Sequence, residues 1–168
     1  MELLLLLERG IWFGLAAVGF AILFNVPRRT LFTIFLMGAA GGLVKVYMMH
    51  FETDIVIATL CGAALIGFLS IPAAHNKHSP PLVFAIPSVI PLVPGILAYR
   101  MMLGLINLAG NVNNVQYTQI LSETINNGLK VMFILMCLAG GVGIPMLITR
   151  KESAKQIRLN RKSPRKQA

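Results

Sequence analysis

The chain is short of charge, and short of acid above all. Of its 168 residues 12% are charged and six are Asp or Glu, where ordinary soluble domains carry about 25% charged residues. With 56% hydrophobic residues and a mean hydropathy of +0.74, that shortage excludes a soluble domain and leaves a membrane composition. Cysteine is scarce as well. Cys61 and Cys137 fall inside apolar segments with no C-x-x-C or Cys/His spacing, so they read as small buried hydrophobes rather than as a disulfide or metal ligands. No nucleophile has a positioned base and no carboxylates are paired, which argues against an enzyme. The alternation of a transmembrane barrel strand is missing throughout, and no internal repeat stands out.

What the chain does have is long apolar runs. Five approach or exceed the roughly 20 residues needed to cross a hydrocarbon core of about 30 Å: residues 3–24, 30–49, 55–74, 82–108 and 128–149. Helix is the default for each, because an isolated strand cannot satisfy its backbone in lipid. The expected fold is an all-α polytopic membrane domain over 1–149, followed by a basic tail over 150–168. The first run starts at Leu3 behind Met1 and Glu2, without the basic flank of a secretory signal and longer than one, so it reads as a retained helix. Turn formers or charge mark the connections NVPRR, HFETD and HNKHSPP, and the longer GNVNNVQYTQILSETINN is polar.

Lys and Arg concentrate on alternate connections, which sets an orientation. Arg28 and Arg29 sit in the first, Lys77 in the third, and eight basic residues in the tail. Glu2, Glu52, Asp54 and Glu123 fall on the other side, and Lys45 and Lys130 lie near helix ends from which they can snorkel. Five spans then put the amino terminus outside and the tail in the cytoplasm. That tail follows a membrane helix directly, which favours anionic lipid headgroups over nucleic acid as its partner. Its proline and lack of aromatics suggest disorder.

The costly positions cluster in the fourth run. IPSVIPLVPGILAYR carries Pro87, Pro91, Pro94, Gly95 and Arg100, and each internal proline costs about 3 kcal/mol in an ordinary helix. The helix is expected to break between Pro87 and Gly95. Broken backbone at membrane depth is lined by protein, water or substrate, and such half-helices form midplane substrate sites with their amino termini toward anionic groups; a simple packing kink is the plainer alternative. Arg100 has three available roles: gripping a substrate carboxylate, pairing with a partner's acid, or snorkelling. Glu8 and Arg9 read as interfacial. Asn25 reads first as a helix-end cap. His50, Glu52, Asp54, His75 and His78 lack the four convergent donors of a metal site. Gly38, Gly41, Gly42, Gly140, Gly141 and Gly143 offer small faces for close helix packing.

VGFAILFNVPRR (18–29) and IPSVIPLVPGILAYRMM (86–102) together resemble the small five-helix membrane subunit of the threonine/serine exporter family. The resemblance extends over essentially the whole chain, and its most specific part is the P-x-x-P-G-x-x-x-Y element. It implies half of a transporter whose partner is a larger subunit with a soluble amino-terminal region and its own five helices. It also implies proton-motive-force-driven export of threonine and serine, or of a dicarboxylate such as succinate, across a bacterial inner membrane. On the matching element it assigns Pro91, Pro94, Gly95 and Tyr99 to the translocation site, with Arg100 beside them and Asn25, Pro87 and Ser88 as secondary candidates. No cofactor or metal is implied. The rival expectation is a membrane scaffold that transports nothing itself and stabilises a larger partner.

Overall fold

A computed structural model of the chain describes residues 2–110 and 114–160, with side chains described over 4–110 and 116–149. Among the described residues there is helix and no strand. Helix α1 runs Glu2–Leu23, α2 Leu31–His50, α3 Ile55–Lys77, α4 Pro81–Val89, α5 Gly95–Ala109 and α6 Asn114–Asn160. Four stretches are long and apolar enough to cross a membrane. The bent pair Pro81–Leu92 and Gly95–Ala109, angled at 56°, makes a fifth if taken as one span.

The helix ends follow from local chemistry. Asn25 closes α1 at a φ of 55°, its N–H on Ile22 O and that of Val26 on Ala21 O, the paired bonds of a Schellman motif that asparagine tolerates. Asp54 caps α3, its Oδ1 accepting from Val56 N–H at 2.8 Å, which gives one of the suspected metal-ligand residues a structural task. His78 closes α3 in the left-handed conformation. Residues 28–30 form a single 3-10 turn leading into α2.

Packing follows the small residues. The buried positions of α2 are Ile34, Met37, Gly38, Gly41, Gly42 and Lys45, a single stripe at helical spacing. It meets α1 at Ala17 and Phe13 and α3 at Gly62 and Ile66. Gly62 lies so close to α2 that an added Cβ would come within 2.7 Å of Gly41 O, and one on Gly67 would come within 2.6 Å of Gly141 O on α6. Gly140 and Gly143 do not share this role, since a Cβ on either meets no other helix within 4 Å. Phe84, Ala85 and Leu92 complete the core beneath α1, α2 and α3.

Two boundaries differ from those read in the sequence. The polar stretch before residue 128 is helix from Asn114 onward, because it contains no proline and its face finds α5 to pack on. Helix α6 also continues through Asn160, past the end at 149 read for the fifth span, and so takes in 150–160. Their Ala, Glu, Gln, Leu, Lys and Arg are strong helix formers, and the remaining tail, 161–168, lies outside the described residues.

Candidate functional site at the broken span

The break in the fourth span is built by proline chemistry. Pro87, Pro91 and Pro94 have no N–H to give, so the carbonyls four residues back lose their helical donors. The chain adapts by tightening: residues 90–92 form a 3-10 turn, and Val93 N–H bonds to Ile90 O at 3.0 Å. Gly95 N–H then reaches back to Val93 O at 2.9 Å across Pro94, whose φ of −82° and ψ of 66° define an inverse γ-turn. A new helix starts at Gly95. Its first-turn N–H groups, those of Ile96 and Leu97 among them, have no acceptor within the helix.

One carbonyl at the break is claimed from elsewhere. Lys45 on α2 is 8% exposed, and its Nζ donates to Leu92 O at 2.7 Å. Leu92 O is the oxygen that Ile96 N–H would take in an unbroken α-helix. Among the described residues no carboxylate pairs with Lys45. This residue was read from the sequence as one that snorkels from a helix end. The signal for its burial is present nonetheless: Gly38, Gly41, Gly42 and Lys45 stand at i, i+3, i+4 and i+7, so the lysine belongs to the small-residue packing face.

Above this contact lies a cavity of about 660 Å³. Leu5, Leu6, Arg9 and Phe13 of α1 wall one side, and Lys45, Val46, Met49 and His50 of α2 another. Ile55 closes a third side, and Val93 through Leu97 bring the break and the start of α5 into the wall. Arg9, expected at the interface, is exposed and also lines this cavity. No Asp or Glu lines this cavity among the described residues. Two cations, a half-helix amino terminus and apolar walls form an environment suited to an anion with a small apolar body.

The sequence-nominated residues divide here. Pro94 is buried, Gly95 is open, and both line the cavity. Gly95 has negative φ and open space where a Cβ would go, so neither its backbone conformation nor its packing requires a glycine there. Pro91 is half-buried in the 3-10 turn; Pro87 is buried in α4. Ser88 is buried and its Oγ donates to Ile34 O at 3.3 Å, tying α4 to α2. Tyr99 and Arg100 lie exposed on α5 and do not line the cavity, and Asn25 is exposed at the end of α1.

The opposite end carries the positive connections. Arg29 Nη2 meets Ser79 Oγ at 3.4 Å, bringing the first and third connections together. A second cavity of about 760 Å³ lies there, lined by His75, His78, Ser79, Leu82, Met146 and Thr149 among others. Among the described residues no three His, Cys, Asp or Glu side chains gather as metal ligands.

A bundle of apolar helices, one of its spans broken, defines a multi-pass α-helical membrane protein. Residues 9–148 match the family described as Threonine/Serine exporter, ThrE, and the chain belongs to that family. An uncharacterized protein of Haemophilus influenzae is 30% identical over 136 residues, 80% of this chain and 44% of that relative. The chain thus spans less than half the length of the curated relative it matches. No solved structure matches it.

Proposed function

We propose that this chain is the small membrane half of a two-part secondary exporter, and that its cavity binds the carboxylate end of a small metabolite. The observation that carries the reading is that Lys45, bonded to Leu92 O at the break, and Arg9 line one cavity with the start of α5. A carboxylate there gains charge-assisted hydrogen bonds from side chains and amides together. The absence of acid from the described lining favours a dicarboxylate such as succinate over threonine or serine, whose ammonium would face two cations. Tyr99 and Arg100 then belong to the surface that meets the other half, where either can reach substrate from across the joint.

The larger partner, with its soluble region and five further helices, supplies the second wall of the pathway and the proton-motive-force coupling. The positive connections and tail face the cytoplasm of a bacterial inner membrane, touching anionic headgroups, so the cavity opens on the release side. Labelled succinate and threonine efflux, followed in cells making each polypeptide alone and both together, tests the reading. Efflux of succinate only with both halves is expected. Efflux by the larger partner alone would instead make this chain a scaffold.

A further inference from the structure

We propose that Lys45 is a displaceable latch that holds the fourth span broken, and that an anion in the cavity releases it. The second clause rests on the cavity being the carboxylate site put forward above; the first rests on geometry alone. An ammonium carries three donors, and one of them is given to Leu92 O at 2.7 Å. That oxygen is also the helical acceptor for Ile96 N–H, so the ammonium at 2.7 Å and the amide would have to share one carbonyl. While Lys45 holds the oxygen, the amide stays free and the two pieces of the span stay bent at 56°.

A carboxylate outbids a neutral carbonyl for an ammonium, because the hydrogen bond is then charged on both sides. Anion binding at Lys45 therefore frees Leu92 O to accept from Ile96 N–H, across Pro94, and draws α5 toward the line of α4. The fold shows which piece moves. Helix α4 buries Phe84, Ala85, Pro87 and Ser88 and is fixed to α2 through Ser88 and Ile34 O, whereas α5 buries no residue and rests chiefly on α6. Swinging α5 moves Val93 to Leu97, one wall of the cavity, relative to Arg9 on α1. The same contact thus senses the ligand and moves the wall around it.

The test reads the break directly. Gly95→Cys fits without a clash and is placed in the full chain with Cys61→Ala and Cys137→Ala, together with the larger partner in membrane vesicles. The rate of maleimide labelling is measured with and without succinate. Succinate is expected to change the rate about tenfold, the scale of exchanging one charge-assisted hydrogen bond. Lys45→Met is expected to fix the rate at the succinate-bound value, and Lys45→Arg to restore the response. Asn76→Cys, at the far end of the bundle, labels equally in every background and serves as the folding control. An unchanged labelling rate and succinate response in Lys45→Met would overturn the latch. A rate shifted by Lys45→Met but indifferent to succinate would support the latch and overturn the carboxylate reading.

Discussion

At Gly62 a methyl group has no room. A Cβ there would stand 2.7 Å from the carbonyl oxygen of Gly41 and 2.9 Å from Leu92, and the oxygen belongs to a helix backbone that cannot rotate away. Either α2 and α3 separate or Leu92, the residue whose oxygen Lys45 holds, shifts. At Gly143 the same substitution meets nothing within 4 Å and removes the entropic cost of a glycine in mid-helix, roughly 0.5–1 kcal/mol. Gly62→Ala is therefore expected to destabilise the protein by about 1–3 kcal/mol, the usual range for overpacking, while Gly143→Ala leaves it unchanged or slightly firmer. Thermal unfolding in detergent, read by circular dichroism, compares the two. Equal melting temperatures would mean that the α2 and α3 backbones are not in this contact.

The fourth span was legible because its chemistry is local. Three prolines spaced four and three apart withdraw donors from one stretch of backbone, and no tertiary context restores an N–H to proline. The sequence could therefore place the break, and the structure narrows it to the γ-turn at Pro94. Lys45 was not legible as a site residue, because its partner lies 47 residues away; its register with Gly38, Gly41 and Gly42 marks it as packed but does not say on what. Arg100, whose charge drew attention, lies exposed on α5 outside the lining of the cavity, a place open to pairing with a partner or to snorkelling. Helix α6 before residue 128 was missed because the run is mostly polar, although Tyr117, Ile120, Leu121 and Ile125 stand at helical spacing within it, and α5 supplies the surface it packs on. For the break itself the expectation is specific. Pro94→Ala returns an N–H to the chain at the γ-turn and removes the constraint that keeps the two pieces apart, so it is expected to lower efflux by the paired halves. Undiminished efflux would place the translocation path away from Pro94.

On the scale of the molecule, two halves of the structure behave differently. Helices α1 to α4 and the later part of α6 share one core, but α5 leans on α6 with Ile96, Tyr99, Met102 and Ile106 exposed. In a membrane such a face is covered by lipid or by another helix, and on the reading proposed above it is where the larger half closes the pathway. That reading has a direction, because every short connection carrying Lys or Arg lies at the end where Arg29 meets Ser79, while the cavity lies at the other. The positive-inside bias then requires the two ends to lie on opposite sides of the membrane. Single cysteines at Asn76 and Phe51, in a background lacking Cys61 and Cys137, sample exposed positions at each end. A membrane-impermeant maleimide added to intact cells is expected to label Phe51→Cys, and Asn76→Cys only after permeabilisation. The reverse pattern would turn the cavity toward the cytoplasm and make it the loading site of an exporter rather than its release site, with the Lys45 contact unchanged.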